Sequence, residues 1–137
     1  MRRLIFVILI LAVVIGLYGI YLFNKKPVDT RDEKADYQIS AVDLVKEFSM
    51  DEEKATKKYS NKILLVAGTV SEVNLTSATV FVDAGDPIAS VTCSFYADEQ
   101  PHILRLKNGD AVQIKGKCTG KLTDVVLNNC SLNLLNQ

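Results

Sequence analysis

The chain has 137 residues, a length that fits one domain, and its 16 Lys and Arg residues balance its 16 Asp and Glu residues. Arg2 and Arg3 precede a long apolar segment, so the rest of the chain carries 14 basic (16 minus 2) against 16 acidic side chains, a formal charge of −2 with His102 neutral. Nucleic-acid-binding domains draw much of their affinity from cations that neutralise phosphates. This charge balance therefore argues against nucleic acid as a partner.

The N-terminal segment predicts one membrane-spanning helix. No side chain from Leu4 to Phe23 is charged, and about 20 apolar residues are enough to cross a hydrocarbon core of roughly 30 Å. The segment ends in aromatic residues followed by two lysines, without the small residues of a cleavage site or the cysteine of a lipoprotein signal. We therefore expect residues 1–24 to be a retained signal anchor.

Positive charges on either side of this segment predict its orientation. Arg2, Arg3 and the α-amino group precede the span, whereas Lys25 and Lys26 follow it. The more positive flank usually stays in the cytoplasm. We therefore expect a single-pass protein whose C-terminal domain lies on the periplasmic or extracytoplasmic side.

The region after the span is predicted to be a linker followed by two helices. Residues 25–38 are polar and charged without an apolar period, which is typical of a solvated stalk. Ser40 is the expected N-cap of the first helix, and Ser49 with Glu52 forms a capping-box pattern for a second, highly charged helix. The apolar residues of the first helix recur at helical spacing: Ala41, Leu44, Val45 and Phe48.

From Lys62 onward the period changes from helical to two, which predicts a mainly β domain. The predicted strands cover residues 62–73, 78–83, 88–97, 111–119 and 124–135, and a short helix is expected within 98–107. Gly68 allows the long first strand to bend. Five strands with a helical connector between the third and fourth are the order of an OB-fold barrel. Residues 39–137 are thus predicted to form an OB-fold domain with an N-terminal helical extension.

The stretch from Ser40 through Leu132 also resembles a family of bacterial exported proteins, the tRNA-anticodon-binding-like (tRNA_anti-like) OB domains. The motifs that carry this resemblance are Ala41-Val-Asp-Leu-Val-Lys-Glu-Phe48, Ala55 with Tyr59, Val66-Ala-Gly-Thr-Val70, Val91-Thr-Cys-Ser-Phe95, Gly109-Asp-Ala-Val112, Gly116-Lys-Cys118-Thr-Gly120 and Leu127-Asn-Asn-Cys130-Ser-Leu132. The resemblance implies an OB fold and a bacterial exported protein, so the membrane that we expect the N-terminal helix to cross is the bacterial inner (cell) membrane. Because these motifs resemble framework positions, the resemblance implies no catalytic residue.

The cysteines show no zinc-site spacing, so neither a metal nor another cofactor is expected. Strand parity directs Cys93, Cys118 and Cys130 into the barrel, with Val126 and Leu132 expected on the same inner face as Cys130. Two interpretations remain open. The three thiols are small buried hydrophobes, or Cys118 and Cys130 form a disulfide across their hairpin.

The outer face of the second and third predicted strands is the usual OB ligand face. Parity places five candidate ligand contacts there: Thr79, Phe81, Thr92, Ser94 and Tyr96. Aromatic side chains on such a face stack on bases or sugars. Whether Phe81 and Tyr96 are free depends on the helix from Ser40, which either covers them or plugs one open end of the barrel.

No positioned acid, base or nucleophile is recognisable in the sequence, so we do not expect an enzyme. The acidic residues fall mostly in turns, where Asp bonds to nearby backbone. The function we expect is a membrane-tethered, non-catalytic OB binding module for a peptide, glycan or protein. A structural subunit of a membrane protein complex and a single-stranded nucleic-acid-binding protein are the alternatives, the latter disfavoured by charge and compartment.

Overall fold

The computed structural model describes residues 1–24 and 29–133. The elements, in chain order, are α1 (Arg2–Phe23), β1 (Tyr37–Ser40), α2 (Ala41–Met50), α3 (Glu52–Tyr59), β2 (Ile63–Asn74), β3 (Thr79–Asp83), β4 (Val91–Phe95), a 3₁₀ turn (Ala97–Glu99), α4 (Gln100–Ile103), β5 (Ala111–Lys121) and β6 (Val125–Leu132). In the described part of the chain, α1 alone is long and apolar enough to cross a membrane. Membrane anchors and signal sequences share that composition.

Strands β2 to β6 form a closed barrel in the order β2-β3-β4-β6-β5, and β5 pairs back with β2. Strand β2 closes it because it is long: residues 63–69 pair with β5 and residues 69–74 pair with β3. At the junction, Gly68 has no side chain to meet Val82 and Ala41, which approach its backbone closely. Strands β4 and β6 are parallel, and the other pairs in the barrel are antiparallel. The predicted five-stranded OB fold is confirmed.

Strand β1 is an addition that the sequence pattern did not predict. It pairs in parallel with β2, Tyr37 opposite Leu64 and Ser40 opposite Ala67. Just before it, the Asp36 N–H donates to the Ile63 carbonyl and the Asp36 carboxylate accepts from the Ile63 N–H. The structure thus differs from the predicted solvated stalk, because the end of residues 25–38 joins the sheet.

The two helices after β1 are capped by side chains. The Ser40 hydroxyl accepts from the Asp43 N–H at 3.1 Å, as predicted for α2. The cap of α3 is Asp51, whose carboxylate accepts from the Lys54 N–H, and the predicted cap Ser49 is wrong. Ser49 lies inside α2, which continues to Met50 before the extended backbone of Asp51 ends it.

Helices α2 and α3 are part of the hydrophobic core. The apolar stripe of α2 is between 0 and 2% exposed and packs with the inner faces of the strands. The Tyr59 ring of α3 is buried beside Phe48, and its hydroxyl donates to Glu47 at 2.8 Å. Burial would raise the pKa of Glu47, but hydrogen bonds from Tyr59 and Lys58 outweigh it and hold that pKa below its ordinary value. The core therefore continues from the barrel into the α2–α3 pair.

Strand parity was predicted correctly for β4 and incorrectly for part of β6. Val125, Leu127 and Cys130 are fully buried, and Leu132 packs against the core as predicted, whereas Val126, also predicted to face inward, is only partly buried and lies outside the core cluster. Asn129 has a positive φ of 53° where the pairing of β6 with β4 and β5 shifts by one residue. This extra residue is a β-bulge, which reverses the alternation of faces along a strand.

All three thiols are buried and free. The predicted alternative of a Cys118–Cys130 disulfide does not form, because the register places Cys118 opposite Leu127. Cys130 directly follows the bulge residue Asn129 and neighbours Cys93 of β4. Burial raises the pKa of the Cys118 thiol. Burial and the neighbouring Cys93 raise the pKa of Cys130 well above the ordinary thiol value.

We expect these thiols to be unreactive while the barrel is folded, because only the exposed thiolate is nucleophilic. An aromatic disulfide reagent at pH 8 should modify none of the three cysteines rapidly in the folded full chain. After denaturation without a reductant, all three should react. Rapid reaction of the native protein would contradict the burial, and reaction of only one thiol after denaturation would indicate a disulfide.

Candidate functional site

A row of partly exposed side chains crosses the outer surface of the barrel. The register aligns Glu72 of β2 with Phe81 of β3, Phe81 with Thr92 of β4, and Thr92 with Val126 of β6. Phe81 is half-buried and Glu72 is exposed. We call these four residues the Phe81 row. It places the candidates Phe81 and Thr92 side by side on the face where OB folds bind ligands.

The Thr92 side chain is held by the hairpin between β5 and β6. Its hydroxyl donates to one carboxylate oxygen of Asp124 at 3.0 Å, and the Ser90 N–H donates to the other at 2.9 Å. Asp124 thereby fixes the β5–β6 hairpin against the start of β4. One end of the Phe81 row is therefore rigid and acidic.

Thr79 and Ser94 lie opposite each other, two residues along the strands from Phe81 and Thr92. Ser94 is partly exposed, as predicted, but Thr79 is only 8% exposed. The Thr79 hydroxyl accepts from the Ser77 hydroxyl at 3.0 Å and donates to the Ser77 carbonyl at 3.2 Å. Thr79 thus stabilises the β2–β3 turn, and its predicted exposure on the ligand face is wrong.

Tyr96 is covered by the chain segment before β1, which we call the strap (residues 29–36). The Thr30 N–H donates to the Tyr96 hydroxyl at 3.1 Å, and the Thr30 hydroxyl donates to the Asn129 carbonyl at the bulge of β6. Thr30 is 2% exposed. The sequence left open whether the helix from Ser40 covers Tyr96 or plugs an open end of the barrel. In the structure this helix, α2, packs into the core, and Tyr96 is covered by the strap, which neither prediction included.

Arg31 fastens the strap electrostatically. Its guanidinium lies 4.5 Å from the centre of the Tyr96 ring and pairs with Asp29 at 2.6 Å and with Asp98 at 2.7 Å. The Lys115 ammonium donates to the Arg31 carbonyl at 3.1 Å. Cation–π contacts and bidentate ion pairs of this kind favour Arg over Lys. The strap therefore occupies both Tyr96 and the cation Lys115 of the outer barrel surface.

The ion pairs of the strap keep their charge at neutral pH. Hydrogen bonds from the Arg31 side chain and backbone lower the pKa of Asp29 to about 2, from an ordinary value of 3.8. A lowered carboxylate pKa means that the stabilisation is complete above the ordinary value and is lost as pH falls through the lowered one. The Asp29–Arg31 contribution should therefore disappear between about pH 4 and pH 2.

Substituting Tyr96→Phe should loosen the strap, because it leaves the buried Thr30 N–H without its acceptor. An unpaired buried donor costs about 1–3 kcal/mol. Trypsin should then cleave after Arg31 several-fold faster than in the unmodified full chain, with fragments identified by mass spectrometry. Tyr37→Phe on β1 is the control and should leave the cleavage rate unchanged. Equal rates in all three proteins would contradict the role given to Tyr96.

Metal-ligating side chains do not cluster in residues 1–24 and 29–133: no group of three or more His, Cys, Asp or Glu is placed to hold an ion there. His102 contacts Glu99, whose carboxylate lies 3.1 Å from the imidazole Nδ1. Glu99 is 7% exposed and also accepts from the Leu132 N–H. The pair connects α4 to the end of β6.

Sequence reasoning missed Thr30, Arg31 and Asn129. Thr30 and Arg31 lie in a polar run with no periodicity, and the positive φ of Asn129 has only a weak signal in the residue type. Their roles depend on contacts with residues 66 to 99 positions away. Pattern analysis of a single chain does not detect pairings of that range.

Fold and surface together define a small OB barrel that follows an apolar N-terminal helix. Comparison with protein families gives the same class, and the chain belongs to the tRNA_anti-like family, whose model matches residues 1–132. Among solved structures, a protein from Klebsiella pneumoniae described as a "putative nucleic acid-binding lipoprotein" is similar to 73% of this chain and 98% of its own, with a TM-score of 0.58 and 18% identity. That similarity supports the fold. No curated protein matches the chain.

Proposed function

We propose that this protein is a non-catalytic OB-fold binding module, tethered by α1 to the bacterial inner membrane with its barrel on the periplasmic or extracytoplasmic side. The Phe81 row binds its ligand, a peptide or a glycan. The observation that carries this proposal is the composition of that row, in which one partly exposed aromatic ring lies between hydroxyl and carboxylate groups.

Acidic side chains beside Phe81 favour a ligand without phosphates. Glu72 lies directly opposite Phe81, and Asp124 is bonded to Thr92 on the other side. A single strand of nucleic acid instead needs cations along its backbone beside each stacking ring. On the outer face of β5, the cation Lys115 already donates to the strap. Sugars and peptides, by contrast, combine apolar faces that pack on an aromatic ring with hydroxyls or amides that donate to carboxylates.

The turn aspartates support a non-catalytic role, because backbone groups already use them. Asp83 accepts from the Gly85 N–H and Asp110 accepts from the Lys107 N–H. Asp86 accepts from the Ile88 and Ala89 N–H groups, which lower its pKa. These carboxylates shape loops, and their hydrogen bonds to backbone amides are those of turn formers.

The membrane anchor is supported by α1 and by the distribution of charge around it. Every side chain of α1 is exposed to the surroundings of the protein, as a helix that lies in lipid requires. The similar protein from Klebsiella pneumoniae is described as a lipoprotein. A lipid anchor would hold its barrel beside a membrane, as α1 would hold this one. Both anchors would hold the barrel close to a lipid surface.

A binding screen on the full chain in lipid nanodiscs tests the proposed ligand class. Labelled oligosaccharides and unstructured peptides are compared with a labelled 20-nucleotide single strand at low and physiological salt. We expect at least one oligosaccharide or peptide to bind, and Phe81→Ala to weaken that binding by about tenfold, since a stacked ring contributes about 1–3 kcal/mol. Phe81→Tyr keeps the ring and should retain affinity.

Val42→Ala is the matched control for Phe81→Ala, because Val42 is a half-exposed apolar residue on α2, outside the row.

Nucleic-acid binding is the second candidate function, since the similar solved structure is described by that activity. Tight binding of the oligonucleotide with a steep loss of affinity at higher salt would favour nucleic acid over a peptide or glycan as the ligand.

A further inference from the structure

The strap determines which end of the barrel is nearest the membrane. Four residues separate Asn24, at the end of α1, from Asp29. An extended chain advances at most about 3.6 Å per residue, so Asp29 lies within about 18 Å of Asn24. Arg31 pairs with both Asp29 and Asp98, which lies in the 3₁₀ turn that follows β4. The end of the barrel beside Asp98 is therefore held within reach of the end of α1.

The end of the barrel beside Asp98 carries exposed leucines. Helix α4 continues from the 3₁₀ turn, and the Gln100 side chain donates to the Leu75 carbonyl in the β2–β3 turn. Leu75 is 41% exposed, and Leu104, directly after α4, is 60% exposed. Apolar side chains that protrude from a loop beside a membrane anchor are suited to insertion between lipid headgroups.

Two cations follow Leu104 in the chain. Arg105 and Lys107 are exposed, and within residues 1–24 and 29–133 neither side chain forms an ion pair. The acidic neighbours at this end are already engaged: Asp98 pairs with Arg31, Glu99 contacts His102, and Asp110 accepts from the Lys107 N–H. Exposed cations beside a membrane are attracted to anionic lipid headgroups. The charge is therefore complementary to phospholipid headgroups.

We propose that this end of the barrel, formed by Leu75, Leu104, Arg105 and Lys107, rests on the anionic phospholipid surface of the membrane that α1 spans. The inference depends on the tether in the proposed function. The strands then stand away from the bilayer, and the Phe81 row faces sideways into the aqueous compartment. The β5–β6 hairpin, with Leu122 88% exposed, points away from the lipid because it adjoins the start of β4 and not its end.

Fluorescence quenching in vesicles tests this orientation. The full chain is reconstituted into vesicles of phosphatidylcholine and phosphatidylglycerol that contain a nitroxide on a fraction of the lipid headgroups. An environment-sensitive dye is attached at Leu104→Cys, or at Leu122→Cys as the matched control on an exposed leucine at the other end. The buried native thiols leave the new cysteine as the reactive one. We expect at least twofold stronger quenching at position 104 than at position 122.

Charge reversal provides a second measurement. A dye at Leu75→Cys should be quenched like the dye at position 104, and adding Arg105→Glu with Lys107→Glu should reduce that quenching at least twofold. Equal quenching at positions 104 and 122 in a chain that sediments with the vesicles would overturn the membrane contact and leave the tether intact. A chain that does not sediment with the vesicles would overturn the tether, and with it this inference.

Discussion

Replacing Phe48 with alanine should lower the free energy of unfolding by about 3–5 kcal/mol, the usual cost of removing a buried aromatic ring. Phe48 is 1% exposed and lies on α2, between the barrel strands and the Tyr59 ring of α3, whose centre is 6.1 Å away. A domain of this size is stable by only about 5–15 kcal/mol, so the variant should unfold at a much lower denaturant concentration. The reason is that α2 completes the core and is not an appended helix.

Urea unfolding of the full chain in mild detergent, followed by near-ultraviolet circular dichroism of the tyrosines, measures this loss. Val42→Ala, on the same helix but 51% exposed, is the matched control and should change stability by less than about 0.5 kcal/mol. Similar small effects at positions 42 and 48 would contradict the placement of α2 in the core.

Gly116→Ala should lower the free energy of unfolding by about 1–3 kcal/mol, the range for overpacking a dense core. Gly116 has an ordinary backbone conformation, so the cost comes from space and not from φ. An added Cβ would lie 2.5 Å from the Cys130 sulfur and 3.3 Å from both the Asn128 carbonyl oxygen and the Leu127 Cβ. The bulge of β6 brings Cys130 over this glycine.

A double-mutant cycle identifies the responsible contact. Cys130→Ala removes the sulfur that the new methyl group would meet, so Gly116→Ala should cost clearly less in the Cys130→Ala background than alone. Each variant is unfolded in urea under the same conditions as the parent protein. Additive effects would mean that Gly116 and Cys130 do not meet, and the β5–β6 register described above would then be wrong.

The barrel could be predicted from the sequence because its signals are local. The change of period at Lys62, the turn residues and the apolar stripe of α2 each lie within a few neighbouring positions. Prediction failed where a single residue shifted the pattern. Asn129 inserts a bulge that moves Val126 off the inner face, and Asp51 ends α2 two residues later than the capping pattern at Ser49 indicated.

The candidate site was predictable only in part, because contacts between distant parts of the chain also shape it. Strand alternation places Phe81, Thr92 and Ser94 on the outer face, and the structure has them there. Alternation also places Tyr96 on the outer face, but its hydrogen-bond partner Thr30 is 66 residues away in a segment without periodicity. Thr79 is buried, and its hydroxyl bonds to Ser77 in the β2–β3 turn. Long-range contacts therefore decide which predicted ligand residues are available.

The proposed function is tested most directly by measuring on which side of the membrane the barrel lies. Leu122→Cys in the full chain adds one exposed thiol to three buried ones, and a membrane-impermeant maleimide is applied to intact bacterial spheroplasts and to lysed ones. We predict that the variant sediments with the membrane fraction after alkaline extraction and that intact spheroplasts label as fully as lysed ones. Labelling only after lysis, or release of the protein by alkaline extraction, would contradict an extracytoplasmic barrel tethered by α1.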